Sequence, residues 1–395
     1  MNRPVVLTVF VCLTLMLSGT PMNSLSTSES SSRTLTANPE LIFFSGATFV
    51  QVSAAHSHTC GLTDEGEVHC WGFNDYGQLG IGVGADQTEF PALDFNGSSI
   101  VKISQGFQDK NSCAISTTGG LYCWGWNTAG QLGLGYTSSN GGSASPVLVS
   151  SSSNQTWVDV QVGNDFVCAI DHLGDVYCWG DGGNYRTGLG STTKTNSPTK
   201  VNIGTGRTAL RVAAGHGHAC AILDDSTLKC WGDNGLGQLG VGGTTSKSTP
   251  QSVNLGSNVG AMNLTLGTAH TCVITNTSDV KCWGSNTYYN IGKTSGGPYT
   301  TPTSVTFPTG THAVRIDAGN QHTCAVLNTS SLYCWGMNDY LQVGEDFTSK
   351  VAPPAEVDVG YVRSAVEFSA GRVHSCVLSD DHSIRCWGES ANSRL

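Results

Sequence analysis

The sequence predicts an all-β fold, a seven-bladed β-propeller of four-stranded blades, and three observations carry that prediction. The pattern Cys-x9-Cys-Trp-Gly recurs seven times, and successive first cysteines lie 53, 55, 52, 52, 52 and 52 residues apart. A proline stands 21 or 22 residues ahead of each first cysteine: Pro39, Pro91, Pro146, Pro198, Pro250, Pro302 and Pro354. Fifty glycines and only 12% charged residues describe short strands joined by tight turns rather than helices. A fixed period of about 50 residues marks a repeat array, in which no unit buries its apolar face alone. The 395 residues therefore form one architecture, not the two or three domains that length alone suggests.

The central element of each unit is a hairpin. With the first turn centred on Glu65, Cys60 faces Cys70 and Leu62 faces Val68 on one side of an antiparallel pair. The same register pairs Ile115 with Leu121, Ile170 with Val176, Ile222 with Leu228, Ile274 with Val280, Val326 with Leu332, and Leu378 with Ile384. Directly opposed positions bring Cβ atoms to about 4.5–5.5 Å, close to the roughly 3.5–4.5 Å of a disulfide. The expected bridges are Cys60/Cys70, Cys113/Cys123, Cys168/Cys178, Cys220/Cys230, Cys272/Cys282, Cys324/Cys334 and Cys376/Cys386. Zinc binding is the competing reading, but zinc sites favour cysteines two to four residues apart with two further ligands nearby.

Trp71, Trp124, Trp179, Trp231, Trp283, Trp335 and Trp387 follow the second cysteines and so point to the other face of the sheet. A sheet covered on both faces and repeated about an axis is a propeller blade; a linear β-solenoid is the alternative, with shorter coils. Two further strands fit each unit, for example Pro198–Ile203 and Ala209–Ala214, and an opening proline suits an outermost strand. Seven residues follow Gly388, too few for an outer strand in the last unit. The segment Pro39–Phe44 is therefore expected to join the final hairpin and close the ring.

Arg3 followed by an apolar stretch, Val5 to Leu17, reads as an export leader over residues 1–22. Thirteen apolar residues fall short of the about 20 that span a bilayer, so no membrane span is expected in the mature chain. A Ser/Thr-rich linker over 23–38 follows, and the propeller occupies 39–395. Cys12 lies in the leader, and the other 14 cysteines are all members of the seven pairs. An even, uniformly spaced set behind an export signal indicates an oxidising compartment, hence a secreted or cell-surface protein. A net charge of −10 with no Lys/Arg cluster excludes nucleic acid as a partner class.

After Trp-Gly the chain reads Asn-x-x-Gly77-Gln78-Leu79-Gly80, and again Gly130-Gln131-Leu132-Gly133 and Gly237-Gln238-Leu239-Gly240. With Ala-Gly215-His-Gly-His218-Ala-Cys and Ala-Gly319-Asn-Gln-His322-Thr-Cys, this resembles the repeat of the regulator of chromosome condensation family, a seven-bladed propeller. The resemblance covers about residues 39 to 390, with local departures at Thr187–Gly190, Tyr289–Gly292 and Leu341–Gly344. It implies nucleotide exchange on a small nuclear GTPase and chromatin binding. The residues oppose both: unit lengths vary by only three, which leaves no inserted wedge, and the chain is acidic and exported. Nearer by compartment are exported bacterial members, one group of which resembles β-lactamase inhibitory proteins that bind an enzyme with one face of the ring.

A histidine stands two residues before the first cysteine in five units: His58, His218, His270, His322 and His374. A residue repeated in most blades reads as an interblade hydrogen bond rather than an active site, which needs one constellation. The Gly-Gln-Leu-Gly stretches are turns, since they do not open a helix as a phosphate-cradling loop would. No nucleophile elbow or zinc-peptidase motif occurs, and no catalytic residue, cofactor or metal is assigned. The repeats differ after Trp-Gly, where units one, two, five and six carry Phe73, Tyr76, Trp126, Tyr136, Tyr288, Tyr289, Tyr299, Met337 and Tyr340. Propeller geometry places these segments on one end, and exposed aromatics are enriched at binding hot spots. Candidate N-glycosylation triplets begin at Asn96, Asn154, Asn263, Asn276 and Asn328. The expected function is a monomeric, non-enzymatic exported module that binds a protein, or a glycan, with this face. A structural surface component and an enzyme with an axial site are the rival readings.

Overall fold

The computed structural model describes residues 40–42, 48–84, 90–106, 110–139, 141–150, 155–294, 296–345, 348–359 and 364–390. Asn154, Pro39, the leader and the linker lie outside the described residues. Seven antiparallel sheets are arranged as blades, each numbered here by its hairpin. Blade four is typical, with strands Ala209–Ala214, His218–Leu223, Leu228–Gly232 and Lys247–Ser252 in that order from the inside outward.

The hairpin register is the one the spacing predicts. Cys220 opposes Cys230 and Ile222 opposes Leu228, and the same pairing repeats in every blade. All seven disulfides form, with Cα atoms 4.1–4.2 Å apart. They join Cys60 to Cys70, Cys113 to Cys123, Cys168 to Cys178, Cys220 to Cys230, Cys272 to Cys282, Cys324 to Cys334 and Cys376 to Cys386. The second strand of every blade is buried at all six positions, because neighbouring blades cover both of its faces. Ring closure is as expected: Glu40–Ile42 pairs with the last hairpin, Glu40 opposite Cys386 and Ile42 opposite Ile384.

Three details differ from the sequence reading. Five of the repeat prolines do not open their strands; Pro146, Pro198, Pro250, Pro302 and Pro354 sit inside the outermost strands. An outermost strand leaves one row of backbone groups unpaired, so a residue without an N–H is tolerated there. Among the described residues, blade one shows three full strands and, in the place of the outermost, a bridge between His69 and Ala92.

The third difference lies at the second cysteines, where regular strand alternation stops on one side. Towards the outermost strand the pairing register shifts between Cys123 and Gly125, Cys178 and Gly180, Cys230 and Gly232, Cys282 and Gly284, and Cys334 and Gly336. Each of those glycines has a positive φ of 96–113°, which breaks the extended ladder just after the Trp. The disulfides are untouched, because each cysteine's partner lies on the opposite neighbour, the second strand.

Neighbouring blades are tied by the tryptophans. Each of the seven indoles after a second cysteine is buried, and six of them donate Nε1–H to a backbone carbonyl of the preceding blade at 2.8–3.1 Å. Burying an indole side chain of roughly 200 Å² contributes on the order of 5 kcal/mol. The bond to the carbonyl removes the cost of a buried N–H without a partner.

The histidines complete the tie, as the sequence reading expects. His58 Nε2 meets Ser112 Oγ of the next blade at 2.9 Å, and that hydroxyl donates onward to Gln78 O at 3.2 Å. A hydroxyl has one proton, so the imidazole must be the donor and carries its proton on Nε2. His218 meets Thr271, His270 meets Thr323, His322 meets Ser375, and His374 meets Thr59 across the closure of the ring. Blades two and three lack the histidine, with Asn111 and Phe166 in its place, and the blades that follow them lack the hydroxyl, with Val167 and Ala219. Burial pushes the imidazoles of His58, His218, His270 and His322 down to about 3, so they are neutral at neutral pH.

Candidate functional site

In each blade the innermost strand runs from one end of the ring, here the lower, to the other, the upper. The second returns and the third ascends again, so the segment after Trp-Gly emerges at the upper end in every blade. Rigid scaffolding holds this segment. A buried asparagine accepts a hydrogen bond from a backbone N–H five residues on: Asn74 from Leu79, Asn127 from Leu132, Asn234 from Leu239, Asn286 from Ile291 and Asn338 from Val343. The side-chain carbonyl of the Gln-position residue pins the tip backbone, as Gln78 does Tyr76, Asn290 does Tyr288 and Gln342 does Tyr340. The Gly-Gln-Leu-Gly stretches are thus turns, with Gly77 and Gly80 at positive φ. Their tips are free to vary because side chains within the turn, not the tip, hold its shape.

The structure gathers five of the nine predicted residues into two groups at this end. Phe73 packs edge-on to Tyr76, ring centroids 5.9 Å apart, and Tyr76 to Trp126 at 4.9 Å, joining blades one and two. Lys110 Nζ caps the group, 3.8 Å from the Tyr76 centroid and 5.1 Å from that of Trp126. In blades five and six, Lys350 Nζ lies 5.4 Å from the centroids of both Tyr288 and Tyr289 and donates to Thr287 O at 2.7 Å. Such cation–π contacts contribute about 0.5–1 kcal/mol each at exposed sites. Tyr136 and Tyr340 are the most open of the set, 56% and 45% exposed. Met337 is half-buried. Tyr299 joins neither group, since it packs against the apolar clusters between blades.

Between the aromatic groups the same end is ionic. Arg186 lies 3.3 Å from Asp181 and donates to Asn164 O at 2.8 Å. Burial raises the nearby Asp165 carboxyl, with Arg186 opposing the rise, and the side chain accepts from Gln131 Nε2 at 3.1 Å. Of the candidate glycosylation residues, Asn96, Asn276 and Asn328 are exposed, whereas Asn263 is half-buried in the wall of the axial channel.

Two features escaped the sequence reading. The first is the charged lining of the axial channel, a cavity of about 250 Å³ walled by the seven innermost strands. Its third-position residues are Gln51, Lys102, Asp159, Arg211, Asn263, Arg315 and Glu367, with Asp317 two residues beyond Arg315. The second is an apolar rim at the lower end. In every blade the pairing of the innermost strand skips its second residue, a β-bulge that turns this residue outward. The seven residues so exposed are Val50, Val101, Val158, Leu210, Met262, Val314 and Val366, each 44–61% exposed. Both features repeat once per unit, 9 and 10 residues before the first cysteine in six units and 11 and 12 before it in unit two, so aligning the units on their cysteines would have revealed them in six of the seven. Among the described residues, no helix is long and apolar enough to cross a membrane.

A model of the RCC1-like domain matches residues 15–377, and a model of the regulator of chromosome condensation (RCC1) repeat matches 365–394. The Ultraviolet-B receptor UVR8 of Arabidopsis thaliana is 28% identical over 348 residues, covering 87% of this chain and 78% of the receptor. Human WBSCR16 superposes with a TM-score of 0.75 at 21% identity, covering 87% of this chain and 88% of that one. Yeast RCC1 (Prp20), solved bound to Kap60, gives a TM-score of 0.71 at 20% identity, covering 88% of this chain and 82% of that one.

Proposed function

The chain belongs to the RCC1-like domain family, and from that premise we propose that it is an exported module that binds a partner protein with the upper end of its propeller. The carrying observation is the pair of lysine-capped aromatic groups, Phe73/Tyr76/Trp126 with Lys110 and Tyr288/Tyr289 with Lys350, flanking an ionic stretch around Arg186. A structural tile would present near-identical loops in every unit, whereas these tips differ while their scaffold repeats. Rigid aromatics at the centre of a patch supply most of the energy of an interface, with polar residues around them. A solved relative, yeast RCC1, is described bound to Kap60, which supports a protein as the class of partner.

Seven disulfides support an oxidising compartment, where such bonds persist. Export through the N-terminal leader, a monomeric state and glycosylation at the exposed Asn96, Asn276 and Asn328 complete the reading; no catalytic role is assigned. The test is affinity capture from the native extracellular fraction, followed by binding measurements with the captured partner. Trp126→Ala, Tyr136→Ala and Tyr288→Ala combined should weaken binding by tenfold or more, about 1.4 kcal/mol. Leu210→Asp, on the apolar rim at the opposite end, should leave it unchanged. The reverse outcome would move the interaction to the lower end and sink this assignment.

A further inference from the structure

The axial channel holds three cations and three acids, and their partners are unevenly shared. Lys102 is ion-paired with Asp159, whose second oxygen accepts Val212 N–H at 3.2 Å. Asp317 accepts from Thr265 Oγ1 at 3.0 Å and from Ala370 N–H at 2.9 Å. Glu367 accepts from Val52 N–H and feels the charge of Arg315. Each carboxylate is thus engaged by the wall of the ring.

The cations are not. Among the described residues, the side chains of Arg211 and Arg315 make neither an ion pair nor a hydrogen bond. Both are exposed, and both line the channel. Asn263 stands between them, in the intervening blade. Its Oδ1 is taken by Leu264 N–H at 2.9 Å, which leaves its amide N–H₂ as the group on offer. Blades four, five and six therefore present Arg211, Asn263 and Arg315 as an arc of donors, while the oxygens of Asp317 and Asn263 beside them each already accept a hydrogen bond.

The same arc interrupts the lateral stitching of the ring. Side-chain bonds join the innermost strands of blades one and two through Gln51 with Ile103, and of blades two and three through Ser104 with Val162. They join five and six through Thr265 with Ala318, and seven and one through Ser369 with Ala54. No such bond is found among the described residues between blades four and five, where Arg211 and Asn263 lie. This seam is held instead by His218 with Thr271 and by Trp283 with Gln238 O, so the donors of Arg211 and Asn263 remain for another use.

We propose that the axial channel binds a small oxyanion, a phosphate or a short carboxylate, clamped by Arg211, Asn263 and Arg315. Guanidinium groups match the paired oxygens of carboxylate and phosphate with two parallel N–H···O bonds. A volume of about 250 Å³ admits an anion of this size together with water but no macromolecular segment.

The experiment is calorimetric titration of the full mature chain with inorganic phosphate and, separately, with succinate, against chloride at equal ionic strength. Saturable binding of at least one probe is expected, and the arm that binds tells phosphate from carboxylate. Arg211→Gln and Arg315→Gln should each weaken binding about tenfold or more. Arg211→Lys, which keeps the charge but not the fork, should weaken it less. Lys247→Gln, on an outermost strand, should change nothing. Should a glutamine variant fail to fold, the Lys variant decides, since its exposed site tolerates the change. Neither probe binding above chloride up to about 10 mM, or binding that survives the arginine changes, would overturn the proposal. Failure of the aromatic variants in the partner assay would leave this result untouched, so the two readings stand or fall separately.

Discussion

At the scale of single residues, the interblade histidines make a prediction about acid. An imidazole whose folded pKa is about 3 stays neutral in the native chain, while in the unfolded chain it titrates near 6.5. Stability contributed by neutrality is complete above about pH 6.5 and is lost as pH falls from there toward 3. Asp317 and Glu367 act in the opposite sense, since burial raises them to about 6 and about 7 and the native chain takes up their protons first. Four imidazoles against two carboxyls leave the unfolded state about two protons ahead between pH 4.5 and 6, roughly 3 kcal/mol per pH unit. Denaturant midpoints measured across that range should fall with acid; a flat profile would refute the buried neutral imidazoles. The pairing of histidine with hydroxyl makes a second prediction. His270→Phe and Thr323→Ala should each cost about 1–3 kcal/mol. The double variant should cost less than their sum, because it reproduces the Phe166 and Ala219 arrangement already present between blades three and four. Strict additivity would contradict the hydrogen bond.

At the scale of the element, the hairpin and its disulfide are local, and so is their energy. Replacing Cys272 and Cys282 together by alanine should lower stability by about 2–3 kcal/mol without changing the fold, read from chemical denaturation. Gly267 shows how tightly the next turn packs. A Cβ there would lie 2.0 Å from His270 Cε1 and 2.8 Å from Gly319 O, so Gly267→Ala should destabilise by more than loss of the disulfide. A melt within one or two degrees of the parent would mean the ring can yield. These elements were legible in the sequence because each rests on contacts within ten residues: Cys220 must face Cys230 if Ile222 faces Leu228. The exact place of Pro198 was not, because the limits of an edge strand depend on how far the next blade's loop lets pairing run. The bulges at Val50 and its counterparts, and the register shifts after Cys123, Cys178 and Cys334, were hidden for a related reason, since a skipped pair appears only when two strands are laid side by side.

At the scale of the whole molecule, closure decides stability. Glu40–Ile42 pairs with the last hairpin, and His374 reaches Thr59 across the seam at 3.0 Å. Deleting residues 37–45 should lower the melting temperature sharply, as the last hairpin would lose its outer strand; an unchanged melt would rule closure out. In a ring, each blade is a partner to two others, so opening one seam weakens a cooperative unit rather than one repeat. The sequence by itself determined the number of blades, the disulfide pairing, the register of every hairpin and the strand that closes the ring. It could do so because these follow from spacing and alternation along the chain. Only the tertiary structure decided that Lys110 caps Tyr76 and Trp126, that Arg211 and Arg315 share one channel without a direct ion pair, and that seven apolar residues ring its lower mouth. Those groups come from different loops or different blades, or face a cavity that exists only when all seven blades are in place, and no local rule of spacing brings them together.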